Sequence, residues 1–141
     1  MSGDMGVLED ETDYYLGPVL GRGVSGYVYE GFRRTDGLDV AIKVLSKKLT
    51  KHREVLDHIK EDIACAAFAD VRHKHVDRTL GVVQLDGRTA IVTQMAPGRS
   101  LSDILEEHGP LTDRRALKLG LQIVEGLVAA YRKGLHHGDL R

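Results

Sequence analysis

Three glycines and one lysine are the residues of this chain whose types and spacing bear most directly on chemistry. Gly21, Gly23 and Gly26 lie in the run Leu20-Gly21-Arg22-Gly23-Val24-Ser25-Gly26-Tyr27-Val28, and Lys43 closes the run Val40-Ala41-Ile42-Lys43. A backbone without Cβ atoms can come close to a phosphate and present its N–H groups to the oxygens. A lysine flanked by Val40, Ala41, Ile42, Val44 and Leu45 is costly to bury unless an anion meets it. The combination points to a cradle for phosphate groups. A Gly-x-Gly-x-x-Gly run alone is a weak signal, because several nucleotide folds use one. Here the third glycine leads into Tyr27-Val28-Tyr29, which favours a strand. A dinucleotide fingerprint needs a helix at that point, and a phosphate loop closed by Gly-Lys-Ser/Thr is absent from the sequence. What remains is a β-hairpin folded over a nucleotide, with a lysine on the next strand.

The elements that must position these residues follow from local pattern. Tyr14 to Arg22 and Tyr27 to Arg34 read as strands around the glycine turn. Thr35-Asp36-Gly37 reads as a hairpin turn, where glycine supplies the positive φ, and Leu38 to Leu45 as a third strand. Thr50 to about Val71 has helical spacing without Pro or Gly. Leu80 to Leu85 and Thr89 to Met95 read as strands joined at Asp86-Gly87. The fold class is therefore α+β, with a five-stranded antiparallel sheet and one helix between the third and fourth strands. Beyond the break at Pro97-Gly98, Ser100 and Asp103 form a capping-box variant for a short helix ending at Gly109-Pro110. Thr112-Asp113 starts a long helix to about Lys133, closed by Gly134. That helix is apolar on two faces: Leu117, Leu121, Val124 and Val128 on one, Leu119, Ile123, Leu127 and Ala130 on the other. Such a helix is normally buried in a larger domain.

With these residues in order, the chain resembles the protein kinase family over about residues 14 to 141. Gly21, Gly23, Gly26 and Val28 match its glycine-rich loop. Val40-Ala41-Ile42-Lys43 matches the strand bearing its phosphate-contacting lysine, and His137-Gly138-Asp139-Leu140-Arg141 resembles the opening of its catalytic loop. The resemblance implies a flexible acidic tail (1–12), a kinase N-lobe (13–96), and a hinge with the start of a helical C-lobe (97–141). It implies ATP as the nucleotide, bound by Leu20 to Gly26, Val28, Ala41 and Lys43. Thr93 would back the adenine pocket, and backbone groups of Gln94 and of Ala96 or Met95 would meet the adenine edge. Ser100 or Asp103 would reach the ribose. Lys43 would meet the phosphates with Glu61 as its helix partner, Asp62 being the alternative. Cys65 and Phe68 share the helical face of Glu61, while Val55, Ile59, Ile63 and Ala66 form a stripe able to pack on the sheet. Asp139 would orient the acceptor hydroxyl and take its proton.

Two departures from the family pattern bear on regulation and acceptor. Gly138 replaces the arginine usual before the aspartate, which argues against control through a phosphorylated activation loop. Arg141 stands where serine/threonine kinases usually carry lysine. The family's Mg2+ ligands are expected beyond residue 141, so this chain by itself is expected to be inactive in phosphoryl transfer. It is also expected to be marginally stable or to self-associate through helix 112–133.

Bulk composition narrows the partners. The 141 residues carry net charge −1, with 42% hydrophobic and 29% charged content, as in a globular domain. No global field draws the chain to nucleic acid, and a protein substrate is the implied partner. Lys47-Lys48 with Lys51, His52 and Arg53 reads as a solvated loop. One cysteine, Cys65, excludes an internal disulfide, and no apolar run matches a membrane span. A cytoplasmic setting is the expectation. His136 and His137 lack further ligands at metal-binding spacing, so no metal site is assigned. Two rivals stand beside the protein kinase reading: a non-catalytic module binding nucleotide or a partner, and a small-molecule phosphotransferase of the same fold.

Overall fold

The computed structural model describes residues 13–138 and Leu140; Asp139 and Arg141 lie outside the described residues. The described chain forms two units. The first runs to Asp70 and resumes with Arg78–Met95; the second takes in Val71–Asp77 and the chain from Ala96 onward.

The first unit is built on an antiparallel sheet of five strands in the order β1-β2-β3-β5-β4. The strands are β1 (Tyr14–Gly23), β2 (Gly26–Arg33), β3 (Asp39–Leu45), β4 (Thr79–Leu85) and β5 (Arg88–Gln94). β1 is an edge strand and carries Pro18, which has no N–H to give the ladder; its pairing with β2 shifts register between Leu16 and Val19 and again before Gly21. Alternation in β3 sets the core. Val40 and Ile42 are fully buried and Val44 nearly so, packed with Leu85, Ala90 and Val92. Side chains of this size each contribute roughly 1.5–3 kcal/mol by leaving water.

The turn at 34–37 is tied by a two-pronged ion pair: Arg33 Nε donates to Asp36 Oδ1 at 2.9 Å and Arg33 Nη2 to Oδ2 at 2.6 Å. Asp36 Oδ1 also accepts the Leu38 N–H at 3.2 Å. These donors, the Arg33 guanidinium first, lower the Asp36 carboxyl to about 2. Because the folded value is depressed, the stabilisation is present above the ordinary carboxylate range and is lost as pH falls through about 2. Protection of the Gly37 and Leu38 amides, taken relative to their intrinsic exchange rates at each pH, is expected to fall on acidification over that window, and Asp36→Asn is expected to remove that fall.

Between β3 and β4 the structure holds two helices where the spacing predicts one. α1 (Lys47–Thr50) is a single turn capped by Ser46, whose Oγ accepts the Leu49 N–H at 3.3 Å. α2 (Arg53–Ala69) follows and ends at Asp70 in a left-handed conformation. It packs beside β4. Its partly buried stripe is Leu56, Ile59, Ile63 and Ala66, whereas Val55 is 42% exposed. The expected stripe thus differs at its first position: Leu56, three residues before Ile59, is turned in, whereas Val55, four before it, is turned out.

The second unit contains α3 (Leu101–His108) and α4 (Asp113–Tyr131). The capping box at α3 is present in both directions, Asp103 N–H to Ser100 Oγ at 3.1 Å and Ser100 N–H to Asp103 Oδ2 at 3.3 Å. Thr112 caps α4 by accepting the Arg115 N–H. The loop 71–77 lies directly on α4: a Cβ at Gly126 would stand 2.8 Å from the His75 carbonyl oxygen. His75 Nε2 is 3.5 Å from Glu125 Oε2. Leu117 and Leu121 on α4 are 75% and 61% exposed. No helix among the described residues is long and apolar enough to cross a membrane.

Candidate functional site

The glycine turn is a tight hairpin. Gly23 pairs with Gly26 across Val24 and Ser25, and Val24 stands fully out at 96% exposure. The glycines divide by role. A Cβ on Gly21 meets nothing within 4 Å and one on Gly23 meets no atom closer than 4.0 Å, so both leave open space above the hairpin. Gly26 is different: its φ is +145° and a Cβ would lie 2.0 Å from the Val44 carbonyl oxygen. Gly26 is required by the close approach of β2 to β3. The hairpin is further moored by the Ser46 N–H, which donates to the Ser25 carbonyl at 2.9 Å.

Register then sets what faces the same way as Lys43. Residues directly opposite in an antiparallel sheet put side chains on one face. Val28 is opposite Lys43, Lys43 opposite Ile91, and Ala41 opposite Thr93. Gly21 is opposite Val28. Val28, Ala41, Lys43, Ile91 and Thr93 therefore form one face, the reverse of the Val40–Ile42–Val44 core. Ile91 was not among the residues singled out from sequence; its two-residue offset from Thr93 was the available signal. Lys43 is partly buried, and no ion pair joins it to a carboxylate among the described residues.

The other predicted residues are placed less compactly. Glu61 has a side chain 76% exposed and lies 3.9 Å from His58 Nδ1. Cys65 and Phe68, on its face of α2, are exposed as well, Phe68 at 93%. Leu20 is 52% exposed at the bulged stretch of β1. The Gln94 N–H donates to the Arg78 carbonyl at 2.8 Å and the Met95 N–H to the Asp39 carbonyl at 3.0 Å. The Ala96 N–H has no such partner among the described residues. Asp103 is held below the usual carboxylate range by its Ser100 hydrogen bonds. Asp139 lies outside the described residues. Among the described residues no three His, Cys, Asp or Glu side chains gather as a metal site.

A glycine hairpin, a lysine across from the strand leaving it, and this strand order coincide with a known domain: the protein kinase domain model matches residues 14–141. The chain belongs to the protein kinase family. It is 29% identical over 128 residues to the serine/threonine-protein kinase PknH of Mycobacterium tuberculosis, covering 91% of this chain and 20% of PknH. A probable serine/threonine-protein kinase of Clostridium perfringens is 27% identical over 128 residues, with 91% of this chain and 18% of the relative covered. The kinase domain of M. tuberculosis PknI superposes with a TM-score of 0.81 at 22% identity, over 100% of this chain and 57% of that one. The chain thus spans about a fifth of the length of these curated relatives. In kinase terms the first unit is the N-lobe and α3 and α4 begin the C-lobe. In this member of the family the glycine hairpin has two open glycines and one structurally obligatory one.

Proposed function

We propose that this chain is the ATP-binding part of a protein kinase that transfers the γ-phosphate of ATP to a serine or threonine hydroxyl. The observation that carries the reading is the pairing of Val28 with Lys43. It sets an ammonium without a carboxylate partner beside the strand that leaves the glycine hairpin. A triphosphate fits this donor set, since the open glycines admit oxygens close to backbone N–H groups and the ammonium balances their charge. Val28 and Ala41 would hold the adenine ring, with Leu20 at the bulge beside them and Thr93 behind. Ala96 is the backbone donor still available for the adenine edge. Glu61 would partner Lys43 after a change in its present exposed setting, and Asp139 would receive the acceptor proton. Mg2+, when bound, would neutralise charge developing on the phosphates; its ligands are not proposed among the described residues. The serine/threonine assignment draws support from the relatives, and the cytoplasmic setting from the lone cysteine. The reading is tested by titrating the chain with a non-hydrolysable ATP analogue, followed by calorimetry. Saturable binding is expected, and heat no greater than buffer dilution would overturn it.

We also propose that the exposed apolar face of α4 drives self-association of this chain. Leu117, Leu121, Val124 and Val128 are 42–75% exposed and lie one turn apart. Sedimentation velocity is expected to show species larger than the monomer as concentration rises, and the double change Leu117→Glu with Leu121→Glu is expected to restore the monomer. A concentration-independent monomer for the unaltered chain would remove this proposal.

A further inference from the structure

Within the second unit, α3 and α4 leave a cavity of about 350 Å³ between them. Its floor is apolar: Ile104 from α3, Leu111 from the connecting loop and Leu119 from α4, each half-buried. Its rim is cationic and exposed. Arg115 and Lys118 stand one turn apart on the side of α4 that carries Leu119, and Arg99 comes from the segment just before α3. No Asp or Glu lines the cavity. Glu107 pairs with Arg99, whereas no ion pair engages Arg115 or Lys118 among the described residues. An apolar floor beside two cations without a counter-charge suits an occupant that brings aliphatic groups and carboxylates together, and the volume is that of a small binding site.

We propose that this cavity receives the chain's own N-terminal segment, residues 4–11. That segment holds Met5, Val7 and Leu8 among Asp4, Glu9, Asp10 and Glu11, and no Lys or Arg occurs from residue 1 to residue 12. Its composition complements both parts of the cavity. The aliphatic side chains would leave water against Ile104, Leu111 and Leu119, and the carboxylates would meet Arg115 and Lys118. Chain length allows the segment to come from the same molecule. Its last tether is Asp13, whose carbonyl accepts the Arg34 N–H at 2.6 Å. β1 lies three strand spacings from β5, and Arg99 follows Met95 by four residues. That route is about 30 Å at most, against about 40 Å for twelve extended residues, and the bound holds whatever angle the two units take. Tethering also supplies an effective concentration on the order of millimolar, which favours the chain's own segment over the same segment of a second copy or an acidic peptide of another protein. Neither Lys43 nor the glycine hairpin takes part in this site, so it stands apart from the nucleotide reading.

The test adds a fluorescent peptide of residues 1–12 to the 141-residue chain and reads anisotropy. A chain carrying Met5→Ser, Val7→Ser and Leu8→Ser keeps its charge but loses the aliphatic groups of its own segment. The peptide is expected to bind that variant at least about tenfold more tightly than the unaltered chain, whose cavity is already filled. Binding to the variant is expected to weaken as salt rises and to be lost when Arg115→Glu and Lys118→Glu are added. Both side chains are exposed, so the melting curve is expected to stay level; should it fall, Arg115→Gln with Lys118→Gln takes their place, with the same loss expected. A peptide bearing the three serines is expected not to bind. Equal affinity for the variant and the unaltered chain would overturn the proposal, as would absence of binding to the variant or binding that survives the changes at Arg115 and Lys118. Equal binding of the serine peptide would mark general charge attraction and overturn it too. An affinity gap that vanishes as the unaltered chain is diluted would assign the occupant to a second copy, against the proposal.

Discussion

Lys43→Met is expected to weaken binding of an ATP analogue about 10- to 100-fold while leaving the melting curve essentially unchanged. The magnitude follows from losing a hydrogen bond between charged groups, roughly 1.5–3 kcal/mol, converted at about 1.4 kcal/mol per tenfold. The unchanged stability follows from the site. Lys43 lies on the face opposite Val40, Ile42 and Val44, is only partly buried and has no ion pair among the described residues, and methionine keeps its length and apolar stem. Isothermal calorimetry beside thermal unfolding checks both halves. Equal affinities for the two proteins would refute the proposed role of the ammonium; a collapsed melting curve would show instead that Lys43 supports the sheet.

The larger structural effect is expected at Gly26. Alanine there would force a Cβ into the Val44 carbonyl at 2.0 Å, on a backbone with φ +145° that L residues rarely adopt. Neither atom is the free end of a side chain, so β2 and β3 must separate. A loss of about 3 kcal/mol or more is expected, the scale associated with strain at a special backbone conformation combined with a broken ladder. Gly21→Ala and Gly23→Ala are expected to behave oppositely. Neither residue has positive φ, and both have space for a methyl group. Their stability is expected to stay level or to rise by roughly 0.4–1 kcal/mol as the unfolded chain loses freedom, while affinity for the ATP analogue falls because methyl groups intrude where phosphate oxygens would approach. Denaturant unfolding and nucleotide titration of the three variants separate the cases. A Gly26→Ala protein as stable as the parent would contradict the packing of β2 on β3.

These contrasts show how unevenly the site could be read from the residues. The two hairpins were legible because Asp36-Gly37 and Asp86-Gly87 specify their own turns, and the observed positive φ values fall on Gly37, Asp86 and Gly87. The cap at Ser100 was legible for a similar reason: it satisfies backbone donors within three residues. α1 was not, since four residues carry too little periodicity to register, and its existence depends on Ser46 being held by the glycine turn as well as by its own cap. The basic run at 47–53 read as a solvated loop; its lysines are exposed, but Lys47–Thr50 is the helix α1 and Arg53 opens α2. What the residue pattern did not contain was Arg88, which is distant in sequence and whose Nη2 meets the Leu45 carbonyl at 3.1 Å only through the pairing of β4 with β5 and of β5 with β3.

Local physics was enough to determine the strands and turns of the first unit, the glycine hairpin with a lysine on the following strand, and the starts of α3 and α4. Each depends on φ preferences, alternation or hydrogen bonds spanning a handful of residues. The tertiary structure alone decided that Gly26 serves strand packing while Gly21 and Gly23 leave space open, that the Glu61 face of α2 is exposed, and that Arg88 reaches the Leu45 carbonyl. Those outcomes depend on which distant backbone or side chain comes within a few ångströms, a contact that close packing sets and sequence spacing does not encode.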